Sequence, residues 1–211
     1  GRYYQQAPEI EALVDLLDCA CQERRRVRFS YRPANGNAGQ RLADPLGLAY
    51  YWFHDAWYLV AGLTGEGGPG GELRHFRLDR MDDVAVTGEA FEPPAEFDLR
   101  EHLAPCWGIE HGELHQVSIR FYDELNVLAR VKRETAHRER ARLVAEEGGT
   151  YLYTDEVAGL NELRVWVRSF GSSAEVLSPA ALREELLESA RGIIARHTGA
   201  PAATGGLEVA G

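Results

Sequence analysis

The first regular spacing of apolar residues along the chain is helical. Ile10, Leu13, Val14, Leu17 and Cys21 recur at three- and four-residue intervals and form one stripe, which predicts a helix over residues 9–26. Pro8 suits its first turn, Glu9 and Glu11 its positive end, and Arg24, Arg25 and Arg26 its negative end. The period then falls to two. Val27, Phe29 and Tyr31 alternate with Arg28, Ser30 and Arg32, the signature of a strand. A loop follows over residues 33–40, with Asn35-Gly36 as its turn signal. Short strands are predicted over 41–43, 48–53, 56–63, 72–78 and 84–87, with a bend at Asp44-Pro45-Leu46-Gly47 and a turn at 79–83. Residues 64–71 hold five glycines and one proline and predict a mobile loop.

In Trp57-Tyr58-Leu59 the alternation sends Trp57 and Leu59 to the core and leaves Tyr58 and Val60 on the other face. After residue 90 the pattern weakens. Pro93-Pro94 and Pro105 mark a linker over 91–116, interrupted by a short helix at 99–103. Beyond it come a strand (117–121), a helix (125–134) with Leu125, Leu128 and Ala129 on one face, and a hairpin about Gly148-Gly149. A helix (160–170), a strand (174–177) and a long helix (179–197) capped by Ser178 complete the order βαββαβ. The fold class expected is α+β. An N-terminal helix and connector (1–26) leads into a small Sm-like or SH3-like β-barrel (27–90), then the linker, a ferredoxin-like domain (117–198) and a disordered tail (199–211).

Composition narrows the function. The 211 residues are 45% hydrophobic and 27% charged, as in globular proteins, and the net charge of −10 excludes a surface that coats duplex DNA throughout. Three cysteines without a Cys-x-x-Cys spacing offer neither a disulfide framework nor a zinc ribbon and fit a reducing cytoplasm. There is no signal-peptide pattern and no apolar run long enough for a membrane span. The chain opens on Gly1 rather than Met, which predicts an N-terminal neighbour upstream. No nucleophile elbow, zinc-protease motif or phosphate loop is present, so no enzyme and no cofactor are expected. His75, His102, His111 and His115 lack metal-ligand spacing.

What remains is a basic strand. Arg74, His75, Arg77 and Arg80 lie within seven residues. Phe76 and Leu78 take the core parity, His75 and Arg77 the other, and Arg74 and Arg80 fall at the strand ends, on a rim. Arginine forks bind phosphate bidentately, and Tyr31 and Tyr58 stand nearby to stack on a base or orient a ligand. Glu72, Asp79, Asp82 and Asp83 flank the strand, and the competing reading, the more common one for such a pattern, is a solvated face on which they simply pair with these arginines. A second basic patch gathers Arg130, Lys132, Arg133, Arg138, Arg140 and Arg142.

Trp57-Tyr58-Leu59 followed by Phe76-Arg77-Leu78-Asp79-Arg80-Met81 resembles the WYL domain of bacterial transcriptional regulators, as do Phe29-Ser30-Tyr31 and Asp44-Pro45-Leu46-Gly47-Leu48. Phe97-Asp98-Leu99, Trp107-Gly108-Ile109, Trp166-Val167-Arg168-Ser169-Phe170-Gly171 and Glu175-Val176-Leu177-Ser178-Pro179 resemble the C-terminal extension found in that family. The resemblance covers residues 10–197. It implies a ligand-sensing, dimerising region that controls an attached N-terminal helix-turn-helix bound to promoter DNA. The ligand it implies is anionic, single-stranded DNA or an oligonucleotide, held at Tyr31, Tyr58, Arg74, Arg77 and Arg80. A small anionic metabolite or nucleotide is the alternative, and a ligand-free dimerisation module the third reading.

Overall fold

A computed structural model describes residues 8–34, 36–51, 53–64 and 72–199. The glycine-rich stretch 65–71 and the tail beyond 199 lie outside the described residues. The chain divides into two compact units, Gly1–Ala104 and Pro105–Gly211. Both are α+β, each built on one antiparallel sheet.

In the first unit the elements run α1 (Pro8–Gln22), β1 (Arg25–Tyr31), β2 (Gly39–Tyr51), β3 (Ala56–Leu63), β4 (Leu73–Arg77), a 3-10 turn (Leu78–Arg80), β5 (Met81–Ala90) and α2 (Leu99–Leu103). The helix stops short of the expected residue 26. Arg24 takes a left-handed φ of 52° and turns the chain, so Arg25 and Arg26 belong to β1. Asp44-Pro45-Leu46-Gly47 does not break the strand either: β2 runs through it with a bulge between Pro45 and Gly47 against β3. A bulge admits proline because it suspends the ladder locally. Buried Asp44 is held there by Arg26, whose Nε donates to Oδ1 at 2.7 Å.

The strand order is β4-β3-β2-β1-β5. The two edges, β4 and β5, are joined by the three-residue turn, so the sheet curls until they approach. Arg32 N donates to Arg80 O at 3.0 Å, which carries the β1–β5 pairing one step past Met81 into the turn. No ladder pairs β4 with β5 among the described residues, so the barrel expected from the strand count is not closed. Inside the curl lie Val27, Phe29, Leu59, Phe76, Leu78 and Met81, covered by Leu17 and Ala20 of α1. Of the stripe that the helical spacing picked out, Leu17 is fully buried and Ile10, Leu13, Val14 and Cys21 pack half-buried against this core; Ala20 joins them from outside it.

The second unit runs β6 (Leu114–Tyr122), α3 (Val127–Thr135), β7 (Arg142–Ala145), β8 (Thr150–Ala158), α4 (Asn161–Arg168), a 3-10 turn (Gly171–Ser173), β9 (Ala174–Ser178) and α5 (Ala180–Thr198). The sheet order is β7-β8-β6-β9, antiparallel throughout. The buried face of α3 is Val127, Val131 and Thr135, not the expected Leu125, Leu128 and Ala129. Leu125 and Asn126 are both left-handed and precede the helix, which leaves Leu125 98% exposed. Ser178 does not cap α5; its hydroxyl donates to Gln116 O, and Pro179 takes the cap position.

The stretch expected to be a linker is anchored at both ends, each within its own unit. Phe91 is buried and its N–H donates to Arg24 O. From Pro105 onward the chain is fastened to the second sheet by Arg138, which had read as a patch residue. Its side chain is 3% exposed and pairs with the fully buried Asp155, while Nη1 donates to Cys106 O at 2.6 Å. Tyr153 Oη donates to the same carboxylate at 2.7 Å, and Trp107 lies under the guanidinium at 5.0 Å. Glu162 at the start of α4 accepts from Ile109 N and Glu110 N at 2.8 and 2.9 Å. No described helix is long and apolar enough to cross a membrane.

Breaking a buried ion pair strands its partner's charge. Arg138→Ala should lower the unfolding free energy of the second unit by about 3–5 kcal/mol in a urea titration. Arg138→Met with Asp155→Leu should regain most of it, because no lone charge is left behind. A loss within experimental scatter for Arg138→Ala would remove this residue as the anchor.

Candidate functional site

Cross-strand register decides which of the expected site residues meet. Tyr58 of β3 lies opposite Arg77 of β4, and Val60 lies opposite His75. Residues directly opposite share a face, so Tyr58, His75 and Arg77 stand together on the side of the sheet away from Leu59 and Phe76. That face is not open. Tyr58 is 7% exposed and Val60 fully buried, against the alternation that left both outside. The cover is α2. Leu99 packs where Gly47 has no side chain: a Cβ there would meet Leu99 Cδ2 at 2.7 Å. Further along, His75 Nε2 and His102 Nε2 are 2.9 Å apart, with Phe97 against the His102 ring.

Tyr58 is held by a residue that the sequence pattern passed over. His54, in the turn between β2 and β3, brings Nδ1 to 2.8 Å from the Tyr58 hydroxyl. The tyrosine is therefore a fixed orienting group rather than a stacking platform. Arg77 is partly exposed, and its Nε and Nη2 donate to the two oxygens of Asp79 at 2.8 and 2.9 Å. Burial works against the charge, but the Asp79 carboxylate and then Tyr58 outweigh it, and the guanidinium pKa lies above its ordinary value. The cation is held in one orientation at the end of the strand.

Tyr31 lies on the opposite side of the sheet. Its ring packs edge-on against Phe76 and Phe29, with centroids at 5.0 and 6.3 Å, and its hydroxyl accepts from Arg77 N at 3.3 Å. It supports the strand end without sharing the Tyr58 face. Arg80 closes the 3-10 turn, half-buried, and its side chain has no partner among the described residues. Arg74 takes the core parity, escapes to the surface and pairs with Glu72 at 2.6 Å. Of the six residues, then, Tyr58, His75 and Arg77 share a face. Tyr31 and Arg80 adjoin its end, and Arg74 stands apart. His54 and His102 join the cluster. His54 stands four residues before Tyr58, across a turn, but nothing in the sequence links His102 to His75.

The second basic patch is divided among carboxylates. Arg130 pairs with Glu134, donates to Ser169 Oγ at 2.6 Å and lies 4.1 Å over Phe170. Arg133 also meets Glu134, at 3.2 Å, and Arg140 meets Glu156 at 2.7 Å. Arg138 is buried as described. These arginines hold their own unit together and form no continuous anionic-ligand surface.

A cavity of about 580 Å³ opens elsewhere in the first unit, lined by Val14, Asp15, Asp18, Leu46, Trp57 and Leu99 among others. Its charged lining is acidic, which does not suit an anion. Trp57 Nε1 is buried without a partner among the described residues. Among the described residues no group of three or more His, Cys, Asp or Glu could hold a metal. Burial pushes the Cys21 thiol up to about 12 and the Cys106 thiol up to about 11, so both stay protonated at neutral pH and neither offers a thiolate.

The docking of α2 rests on the missing side chain at Gly47. Gly47→Val should push Leu99 off the sheet and speed hydrogen exchange at His102 N and Ala104 N about tenfold or more, with β1 and β3 unchanged. Unaltered exchange at those two amides would show that α2 does not depend on this contact.

The WYL domain model matches residues 12–86, and the WCX domain model matches residues 113–194. No curated protein matches the chain. Among solved structures it is similar to the proteasome accessory factor B/C (PafBC) of Arthrobacter aurescens, with 25% identity and a TM-score of 0.38. That likeness covers 93% of this chain and 29% of the other. It is also similar to a CRISPR Cas-related protein, with 13% identity and a TM-score of 0.56, covering 92% of this chain and 52% of the other. The chain thus spans about half or less of the length of these two relatives. With a WYL domain in its first unit and a WCX domain in its second, it belongs to the WYL-domain family.

Proposed function

We propose that this chain is the ligand-sensing part of a cytoplasmic transcriptional regulator, and that its sensor is the β3–β4 face together with the turn that follows. The observation that carries the reading is the placement of Arg77. It is a partly exposed guanidinium, aimed by Asp79 and Tyr58, three residues from an Arg80 with no partner among the described residues. Arg77 and Arg80 take phosphate groups of single-stranded DNA or an oligonucleotide. Tyr58 fixes Arg77 from within the covered face, His75 holds α2 through His102, Tyr31 stiffens the strand end, and Arg74 serves the rim. The helix α2, docked on the same face, carries the bound state onward to a helix-turn-helix upstream on promoter DNA. The regulator works as a homodimer, without enzymatic activity or cofactor.

The finer fold belongs to the same reading. The curled five-stranded sheet with its 3-10 connection supports an Sm-like barrel for residues 27–90. The order β7-β8-β6-β9 supports a ferredoxin-like domain over 117–198. A small anionic metabolite or nucleotide is the second reading. It is favoured by the net charge of −10, which repels a long polyanion from most of the surface.

Fluorescence polarisation with labelled single-stranded oligonucleotides over a salt series tests the first reading. Two phosphate contacts predict a slope of log K against log salt of about −1.4, and Arg77→Ala or Arg80→Ala should each reduce it by about 0.7. No binding at low salt, or binding indifferent to both substitutions, would reject the oligonucleotide. A saturable thermal shift with a mononucleotide and no dependence on oligonucleotide length would favour the small ligand.

A further inference from the structure

The longest helix, α5, is only partly used by its own unit. Its 19 residues span about 28 Å, yet Leu182 is its one buried residue, with Leu186 packed at the edge of the core. Further along, Leu187, Ile193 and Ile194 are 49%, 50% and 61% exposed. Arg183, Leu187, Ala190, Ile194 and His197 keep the four-three spacing of a coiled-coil seam, with apolar residues at its three central positions.

The flanks of this seam differ. On one side lie Glu184 and Arg191, seven residues apart, and on the other Leu186 and Ile193, also seven apart. Neither Glu184 nor Arg191 has an ion-pair partner among the described residues, whereas Glu185, turned toward α4, is paired with Arg164 at 2.6 Å. In an antiparallel helix pair each flank meets the same flank of its partner. Glu184 then meets Arg191 of a second copy, and Leu186 meets Ile193, each contact occurring twice by the two-fold axis. A parallel pair would set the charged flank against the apolar one. The antiparallel pair also opposes the helix dipoles, and Ala190 at the crossing lets the helices approach closely.

We propose that α5 is a self-recognition surface on which a second copy of this chain packs its own α5 in antiparallel orientation. The proposal rests on the homodimer in the function argued above and names its contact. The charge pattern selects the occupant, because the flank of α5 is complementary to itself only when reversed.

Sedimentation equilibrium of the full chain tests it. Leu187→Glu with Ile194→Glu should raise the dimer Kd about a hundredfold or more. Glu184→Arg alone should raise it about tenfold, and adding Arg191→Glu in the same chain should bring it back to within about twofold of the original. A monomer at every concentration overturns this surface and the homodimer together. A dimer indifferent to the α5 substitutions overturns the surface and leaves the homodimer standing. If the apolar double variant loses thermal stability while Kd stays put, α5 is covered by another part of its own chain, and the proposal fails.

Discussion

The turn Leu78–Arg80 joins β4 to β5, and those strands lie at opposite edges of a five-stranded sheet. Laid flat, the edges would stand about 19 Å apart. Four backbone steps from Arg77 to Met81 reach at most ~14 Å, and a 3-10 turn reaches less. The sheet must therefore curl. Curling brings Phe29, Phe76 and Met81 inside one core and gives α1 a single opening to cover. The same constraint puts Arg77 at the last residue of a strand and Arg80 at the end of the turn. They project where the backbone is most tightly specified, which is where a rigid anion site can be built.

The second unit depends on a different kind of constraint. Arg138 and Asp155 are charges without access to water, and each needs the other together with Tyr153 Oη and the Cys106 carbonyl. Such a group tolerates little displacement, because a misplaced buried charge costs several kcal/mol. It fixes the route of the chain from Pro105 along the edge of the sheet. Glu162 and Glu110 extend the fastening by accepting backbone N–H groups from each other's segments.

Much of this was legible in the sequence. The stripe of α1, the alternation of β1, the bounds of α2 and the order of the second unit all follow from local spacing, because each element buries one face. Reading failed where that condition failed. Val60 and Tyr58 are buried because α2 covers the second face of β3, and the continuous apolar run of residues 59–61 was the available sign. Asp44-Pro45 looked like a bend separating two short strands because turn chemistry and bulge chemistry use the same residues. Arg138 looked like surface because a charge in sequence does not announce a partner seventeen residues away. The meeting of His75 with His102 is likewise a long-range fact.

The attachment of α2 has a practical consequence for dissecting the molecule. Its docking at Gly47 and His75 makes residues 91–104 part of the first unit, and Arg138 claims the chain from Pro105 onward. A fragment cut at the end of β5 would keep every strand of the first sheet and still be incomplete. Val60 would meet water, and the face bearing Tyr58, His75 and Arg77 would lose its cover. The natural point of severance is the Ala104–Pro105 peptide bond, fourteen residues beyond the last strand.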